Sequence, residues 1–347
     1  MGRVAFIHRR ASMSIATTSR GVSGVVQDHT GQAVSIHPRA NTATVPAPTS
    51  ASGAARPPMA PAAFTARLGN TRSKIVLNCM TIEIGENKLE YDFKVDEHTR
   101  ERHVVVKSGC DAKGDLVIPA IINGCPVTEI GDFSFFCSNG LTGVEIPHGV
   151  TDIGHLAFRN CTGLTRVAIS DSVKRIKHRA FNGCTGLTSV TIGKGVTCID
   201  SEAFCGCREL SDMTIQGNVT DLGLNAFAGC EKLADTNGFF VQNGVLYAYF
   251  GVGGEIVIPD GVVCIVPRVF YGRRNLTRVV FPDSLTSIGA QTFCCCHGLN
   301  QIMIPKCVTS IESCAFWSCS GLEKVDIPEH AIIGEGVFDD GVTITKY

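Results

Sequence analysis

The fold is decided by the stretch AFNGCTGLTSVTIGKGVTCIDSEAFCGC at residues 180–207, which opens with AFNGC and returns to AFCGC 23 residues later. The same step continues on both sides of this stretch, because leucine recurs every 23 residues in two runs. These leucines are Leu141, Leu164, Leu187, Leu210 and Leu233, and then Leu276, Leu299 and Leu322. A period in the twenties with apolar residues at fixed offsets is typical of a leucine-rich-repeat solenoid.

The repeat follows the template LxxVxIPxxVTxIGxxAFxxCxx, and each position has a predicted role. The Val and Ile of the VxI segment are two residues apart, so they point to the same face of a short strand. One such strand per coil predicts a parallel sheet on the concave side of the array, and the following Pro ends the strand because it has no N–H. We therefore predict an α/β-type repeat solenoid that is mostly β, with 23-residue coils and short outer turns or helices.

Two further template positions predict how each coil closes. Gly131, Gly154 and Gly289 follow the second apolar segment and are expected to permit a tight bend. The Ala-Phe pair is expected to return the chain along the outer side of the array. The phenylalanines at this position should stack as one continuous column, and they are Phe135, Phe158, Phe181, Phe204, Phe227, Phe270, Phe293, Phe316 and Phe338.

The array is interrupted once, between Leu233 and Leu276, where the step grows from 23 to 43 residues. The insert, at about residues 234–254, contains two strand-like runs around Asn243-Gly244, which is a strong hairpin-turn signal. Residues 75–114 include LEYDFKVDEHTRERHVVVKSG and are predicted to form a β-hairpin cap, since the first coil of a solenoid exposes apolar core. The solenoid itself is predicted over residues 115–347.

Residues 1–74 differ from the rest of the chain in charge and composition. They hold nine basic residues and one acidic residue, whereas the remainder has a net charge of −9. The segment is rich in Ala, Ser and Pro and lacks an apolar period, so it buries too little surface to offset its ordering entropy and is predicted to be disordered. Its acid-poor opening MGRVAFIHRRASMSIATTSR resembles an organelle transit peptide, which leaves a flexible tail or a targeting segment as alternatives.

The cellular compartment is predicted from the cysteines and from apolar run lengths. Seventeen cysteines, an odd number, favour a reducing compartment inside the cell, either the cytoplasm or an organelle. The cell surface remains the alternative. No stretch approaches the roughly 20 apolar residues of a membrane span.

Three stretches carry a resemblance to a known family. CPVTEIGDFSFF, IPHGVTDIGHLAFRNCTGL and IPKCVTSIESCAFWSCSGL resemble BspA-like leucine-rich repeats, and the resemblance covers about residues 85–347. It implies a curved recognition scaffold without enzymatic activity. The family is often found on cell surfaces and is associated with adhesion to host or matrix proteins, so a surface adhesin is an alternative function.

Six cysteines occupy one template position, three residues after the Phe, and are predicted to form a structural ladder of small buried side chains whose S–H groups donate weakly to a loop carbonyl. They are Cys161, Cys184, Cys207, Cys230, Cys296 and Cys319. Oxidation between adjacent rungs stays open as an alternative. No metal site is predicted at Cys294-Cys295-Cys296 or at Cys205 and Cys207, because metal ligands usually come from two short motifs that converge.

The sequence contains no nucleophile elbow, phosphate loop or HExxH motif, so we predict no enzyme and no cofactor, with an enzyme of unrecognised type as the second alternative. The outward positions of the sheet are the ones free to vary, so we predict that a ligand is bound there. They lack a basic stripe with aromatic residues, which favours a protein or peptide over nucleic acid. The predicted binding residues are Glu145, Arg166, Thr191, Asp212, Thr214, Arg278, Gln301, Met303, Lys324 and Asp326.

Overall fold

The computed structural model describes residues 25–27, 33–35 and 80–347, and the chain divides into two units, Met1–Ser73 and Lys74–Tyr347. In the first unit, β1 (Val25–Gln27) pairs antiparallel with β2 (Ala33–Ser35). The rest of residues 1–74 lies outside the described residues. Disorder and a targeting role therefore stay predictions for that segment.

The described part of the second unit begins with three strands. β3 (Met80–Ile84), β4 (Asn87–Val95) and β5 (Arg102–Ser108) pair antiparallel in that order, and β5 then pairs in parallel with β8 (Cys125–Ile130) of the first coil. Leu89 of β4 and Val104 of β5 are fully buried. These strands therefore cover apolar core at the start of the array, as the end of a solenoid requires.

Each coil contributes two strands, and the longer of the two forms the surface that we call the main sheet. In the first array, residues 80–233, its parallel strands are β6 (Lys113–Val117), β9 (Gly140–Ile146), β11 (Arg166–Ile169), β13 (Ser189–Ile192) and β15 (Asp212–Ile215). In the second array, residues 239–347, they are β19 (Gly254–Val257), β21 (Leu276–Val280), β23 (Gln301–Met303), β25 (Lys324–Ile327) and β27 (Thr343–Lys346).

The shorter strands form a second sheet along each array. In the first array β8, which also pairs antiparallel with β7 (Ile121–Ile122), is followed by β10 (Asp152–Ile153), β12 (Arg175–Ile176), β14 (Cys198–Ile199) and β16 (Asp221–Leu222). In the second array they are β18 (Val245–Tyr249), β20 (Cys264–Ile265), β22 (Ser287–Ile288), β24 (Ser310–Ile311) and β26 (Ile332–Ile333). Val167 pairs with Val190 and Ile153 with Ile176, so the predicted 23-residue coil is confirmed.

The α/β description needs correction, because the described residues contain a single 3-10 helix, Glu231–Leu233, and otherwise strands and turns. The outer turns have a physical reason not to become helices. In the turn around Phe158, Leu156 and Asn160 adopt left-handed φ values of 54° and 59°. The Phe158 N–H donates to the Ala180 carbonyl of the next coil at 2.7 Å rather than to its own turn. Residues 80–347 therefore form a β-solenoid.

The phenylalanine column forms, but it is not continuous as predicted. From Phe135 to Phe227 the rings of successive coils stack at 4.9 to 5.8 Å, and from Phe270 to Phe338 at 4.9 to 5.4 Å. Between Phe227 and Phe270 the insert supplies other aromatic rings, with Phe240 edge-on to Phe227 at 5.7 Å. The column is thus two columns joined by aromatic residues of the insert.

The template glycines act through close packing rather than through a bend. Gly154 does not adopt a left-handed φ, and a Cβ on it would lie 2.5 Å from the Gly131 carbonyl carbon of the preceding coil. A Cβ on Gly289 would likewise lie 2.6 Å from the Pro267 nitrogen. Glycine is needed here because adjacent coil backbones approach too closely for any side chain.

The insert forms a hairpin that is shared by the two hydrophobic cores. β17 (Phe239–Gln242) and β18 pair antiparallel around Asn243 and Gly244, whose φ values of 50° and 76° suit a primed two-residue turn. Alternate faces of the hairpin pack in opposite directions: Phe240 belongs to the core of the first array and Phe239 to that of the second. The hairpin is therefore a layer between the arrays.

One side chain of the hairpin also covers the open edge of the first main sheet. Gln242 Oε1 accepts a hydrogen bond from the Ile215 N–H at 2.9 Å, and Gln242 Nε2 donates to the Met213 carbonyl. This amide replaces the pairing that the next strand would give to β15. No described strand follows β15 in the first main sheet, and the second main sheet begins at β19.

Candidate recognition surface

The main sheet brings the predicted binding residues into two columns along each array. In the first array, Arg166 is in register with Ser189, which is in register with Asp212. In the neighbouring column Thr191 is in register with Thr214. Parallel register places equivalent side chains of successive coils about 4.8 Å apart, so a ligand could contact several coils at once.

The second array repeats this arrangement. Arg278 is in register with Gln301, which is in register with Lys324, and Met303 is in register with Asp326. All the predicted residues are exposed except Thr191 and Asp326, which are half-buried.

In the first array this surface is mostly polar. The one large exposed apolar side chain among its described residues is Val117, 55% exposed, which begins the column that continues through Glu145, Ala168 and Thr191. Arg166 Nη2 lies 2.6 Å from Asp115 Oδ2, and this guanidinium holds the pKa of the Asp115 carboxyl below its usual range. Ser189 Oγ lies 3.0 Å from Asp212 Oδ2.

In the second array the two columns differ in the polarity of their side chains. One column is charged and polar, running from Glu255 to Arg278, Gln301 and Lys324, with Glu255 Oε1 3.1 Å from Arg278 Nη1. The other is apolar, running from Val257 through Val280 to Met303. Val257 is 62% exposed and Met303 65% exposed.

Shallow cavities adjoin the apolar column at Val257 and at Met303. One, of about 420 Å³, is lined by Phe239, Val257 and Pro259 among others. Another, of about 260 Å³, is lined by Phe281, Met303 and Pro305 among others. Exposed apolar side chains with adjoining depressions are the features of surfaces that receive the side chains of another molecule.

Sequence reasoning missed four residues of this surface, namely Asp115, Val117, Glu255 and Val257. They lie on β6 and β19, the first main-sheet strand of each array, which come before the first leucine of each 23-residue run. A usable signal was present, because DLVIP at 115–119 and EIVIP at 255–259 both match the VxIP part of the template. The outward positions of these strands follow directly from that match.

The six ladder cysteines lie together along the outer side of the core and share one contact. Each is at most 1% exposed, and each Sγ donates to the carbonyl of the Phe 26 residues earlier, as Cys184 Sγ does to the Phe158 carbonyl at 3.0 Å. The other contacts measure 2.9 to 3.2 Å for Cys161, Cys207, Cys230, Cys296 and Cys319. Burial raises the pKa of the Cys296 and Cys319 thiols to about 12, so these groups are poor nucleophiles and poor metal ligands.

The other reactive side chains do not converge. All cysteines in the described part of the chain are free thiols, and Cys294 Sγ lies 3.6 Å from Cys295 Sγ. Among the described residues no group of three or more His, Cys, Asp or Glu side chains is placed to hold a metal ion. Within the same residues no helix is long and apolar enough to cross a membrane.

Comparison with solved structures finds leucine-rich repeat proteins from bacteria. A T. pallidum leucine-rich repeat protein is 24% identical, with 60% of this chain and 87% of that chain covered and a TM-score of 0.41. A leucine-rich cell surface protein from Faecalibacterium prausnitzii is 26% identical, with coverages of 77% and 94% and a TM-score of 0.32. The pneumococcal vaccine antigen PcpA is 16% identical, with coverages of 74% and 78% and a TM-score of 0.32.

Comparison with families gives a match over most of the solenoid. No curated protein matches the chain in sequence. The BspA type leucine rich repeat region matches in six copies, over residues 121–238 and 252–347. Both arrays are included, and the part left out between them belongs to the insert. The chain is therefore a member of the BspA-type leucine-rich repeat family.

Proposed function

We propose that the protein is a non-enzymatic scaffold that binds a protein or peptide through the outward face of the main sheet, which we take to be the concave side of the array. The single observation that carries this proposal is the apolar column beside the charged column of the second array, in which Val257 and Met303 are exposed and Val280 is half-buried. Protein interfaces combine an apolar centre with a polar rim, and a few central side chains supply most of the affinity.

The charges beside the apolar column support a protein ligand over a nucleic acid. Glu255 and Arg278 form one ion pair, and Lys324 Nζ lies 3.1 Å from Asp326 Oδ1 in another. Positive charges on this face are thus partnered by acidic side chains, whereas a nucleic-acid site needs an uncompensated basic patch. A polypeptide with its own mixed charges can exchange partners with both pairs.

The experiment begins with selection of peptide ligands from a displayed random library against the whole chain, followed by affinity measurement on variants. Met303→Asp places a charge in the apolar column and should weaken the selected ligands by about 30-fold or more, the effect of losing a hot spot of about 2 kcal/mol. Arg278→Glu should weaken them as well, because it reverses a charge in the polar column.

The matched control lies at the same template position in the first array. Thr191 is equivalent to Met303, so Thr191→Asp introduces the same charge on the same sheet face but outside the apolar column. It should leave affinity within a few-fold of wild type. Ligands that are insensitive to Met303→Asp, to Arg278→Glu and to combined substitution of Arg166, Asp212 and Gln301 would show that the main sheet is not the binding face.

A further inference from the structure

The outer turns of neighbouring coils are joined by a ladder of backbone hydrogen bonds. Between the turns around Phe181 and Phe204, for example, Arg179, Phe181 and Gly183 donate their N–H groups to carbonyls of the following turn at 2.7 to 3.1 Å. The same three template positions donate to the following turn throughout the first array and again throughout the second. The ladder therefore has three rungs wherever one turn directly follows another.

The ladder is broken at one place, between the turn around Phe227 and the turn around Phe270. The N–H groups of Asn225, Phe227 and Gly229 have no hydrogen-bond partner among the described residues. The carbonyls in the equivalent accepting positions of the next turn, those of Pro267, Val269 and Tyr271, likewise receive no hydrogen bond from any described residue. Three donors and three acceptors are thus left unpaired on facing turns.

The six residues that carry these groups line one cavity, which we call the interruption slot. Its volume is about 350 Å³, within the range of about 300 to 1,000 Å³ that is usual for ligand pockets. The turn from Leu222 to Gly229 forms the donor wall and the turn from Pro267 to Tyr271 the acceptor wall, while residues 247–250 of the hairpin form the floor. The slot exists because the hairpin separates the coils without supplying an outer turn of its own.

Two arginines indicate how wide the slot is and where it ends. Arg268 Nη1 reaches across from the acceptor wall to the Leu222 carbonyl at 2.7 Å, so one side chain spans the gap at this end. Arg273 takes the template position that the ladder cysteines hold elsewhere, and its Nη1 donates to the Gly251 carbonyl at 2.6 Å. A gap that one arginine bridges has room for one layer of polypeptide, since layers repeat about every 4.8 Å.

The chemistry of the two walls differs and selects the ligand. Asn225 and Gly229 have left-handed φ values of 58° and 80°, and the equivalent Glu202 and Gly206 have similar values in the paired turn one coil earlier, where alternate N–H groups donate to the following turn. An anion would satisfy the donor wall but would face three carbonyls on the other. A polypeptide main chain offers carbonyls to the first wall and N–H groups to the second.

The side chains of such a ligand are constrained as well. Tyr249 of the floor, 8% exposed, lies 5.3 Å from the Phe270 ring, and Phe240 of the hairpin lies edge-on to Phe227, so aromatic rings already fill the place where the phenylalanine of a regular turn would lie. The ligand must therefore carry small side chains, and glycine suits the left-handed positions of the turn.

We infer that the interruption slot binds a glycine-containing segment of small residues from a partner polypeptide, whose main chain completes the missing rungs. Recognition by added main-chain pairing is a known mode of peptide binding at sheet edges, and here the edge is a turn ladder with two walls. This site does not rest on the main-sheet proposal, because it lies on the outer side of the coils and uses none of the main-sheet residues.

The test uses amide-resolved NMR and hydrogen exchange on the full chain, with acetyl-Ala-Gly-Ala-Gly-Ala-Gly-Ala-amide at millimolar concentration as the probe. In the free protein the N–H groups of Asn225, Phe227 and Gly229 should exchange at least 100-fold faster than those of Glu202, Phe204 and Gly206, the paired equivalents one coil earlier. Added peptide should shift the three unpaired amides and slow their exchange at least ten-fold.

Two controls separate main-chain pairing from other causes. The same peptide with every residue N-methylated lacks main-chain donors for the acceptor wall and should bind at least ten-fold more weakly. Ala228→Trp should fill the slot and abolish the shifts, whereas Asn182→Trp, at the equivalent position of a paired turn, should leave them unchanged.

Several results would overturn the inference. They are equal exchange of the paired and unpaired amides in the free protein, absence of shifts with millimolar peptide, and equal binding of the N-methylated peptide. Sodium sulfate that shifts the three amides when the peptide does not would assign the slot to an anion instead. Loss of the main-sheet ligands in the Met303→Asp variant would leave all these outcomes unaffected, so the two proposals can fail separately.

Discussion

The two arrays of the solenoid have hydrophobic cores of the same construction and differ in the face that they present. In both, buried rings stack from coil to coil at similar distances, 4.9 Å for Phe135 with Phe158 and 4.9 Å for Phe270 with Phe293. The corresponding column of the main sheet begins with an exposed valine in both arrays, Val117 and Val257. It then continues through Glu145 and Thr191 in the first array but through Val280 and Met303 in the second, so only the second has a continuous apolar column.

The difference shows that the buried positions and the exposed positions of such a repeat are constrained separately. The inward positions must repeat because each coil packs only against its neighbours, and a misfit would propagate to both sides. The outward positions have no such partner, so their chemistry can change from coil to coil without loss of the fold. Function is therefore expected where equivalent outward positions diverge.

The largest expected effect comes from truncating a phenylalanine of either stacked column. It tests whether the two arrays unfold independently. Phe293→Ala in the second array and Phe181→Ala in the first should each cost about 3–5 kcal/mol as large-to-small core substitutions. The one tryptophan of the chain, Trp317, lies in the second array and reports on it alone. In urea, Phe293→Ala should lower the midpoint seen by Trp317 fluorescence, while Phe181→Ala should lower mainly the midpoint seen by far-UV circular dichroism.

A contrary result would change the comparison itself. If Phe181→Ala lowered the Trp317 midpoint as much as Phe293→Ala does, the two arrays would unfold as one cooperative unit. The hairpin would then couple the unfolding of the two arrays as strongly as an ordinary coil couples the unfolding of its neighbours.

The next effect concerns the hairpin side chain that covers the end of the first main sheet. Gln242→Ala removes both hydrogen bonds to β15 and leaves the Ile215 N–H and the Met213 carbonyl unpaired, which should cost about 1–3 kcal/mol. Gln301→Ala, an exposed glutamine of the second main sheet, is the control and should stay within about 0.5 kcal/mol of wild type. Urea denaturation measures both, and equal midpoints would show that Gln242 does not support this edge.

A smaller effect is expected from the cysteine ladder, and it should be the same in both arrays. Cys184→Ala and Cys319→Ala each remove a buried side chain that contacts a Phe carbonyl, and each should cost roughly 1–2 kcal/mol, the size of an ordinary point substitution. Cys184→Ser keeps a donor and should recover part of the loss, since Ser138 already fills this position in the first coil. Stoichiometric zinc that is retained by the purified protein and lost with these substitutions would contradict a packing role.

The smallest effect depends on pH and is confined to the first array. Burial alone would raise the pKa of Glu129, but hydrogen bonds from Lys94 at 2.8 Å and Lys177 at 3.2 Å outweigh it and lower the pKa. A lowered carboxyl pKa stabilises the folded state above the unfolded value of about 4.3 and loses that contribution as pH falls through the folded value. Glu129→Gln should therefore lower the urea midpoint at neutral pH and match wild type at about pH 3.

Glu129 belongs to the first array, so this difference should appear in circular dichroism and leave the Trp317 transition in place. A constant difference between Glu129→Gln and wild type across the acid range would show that packing rather than charge accounts for it.

The sequence by itself determined the 23-residue coil, the parallel strands, the position of the interruption and the outward positions of most of the main sheet. It could do so because each buried position, such as Leu187, Phe181 or Cys184, meets the same neighbours in every coil and so must repeat. The period of the sequence therefore reflects the repeated packing of the core. The outward residues could be identified only by elimination, after the core positions had been assigned. The first main-sheet strand of each array was missed because the template leucine is absent there.

Only the tertiary structure decided how the outer turns close and what the interruption leaves open. The turns hold left-handed residues as different as Leu156, Arg179 and Gln291, so no local sequence signal distinguishes them from a helix. Their conformation is stabilised by hydrogen bonds to residues 22 positions away, as from Phe158 to Ala180. The interruption slot beside Phe227 lies where such hydrogen bonds are missing. Whether two distant backbone groups pair is not encoded in the side chain of either residue, so the slot could not be predicted from the sequence.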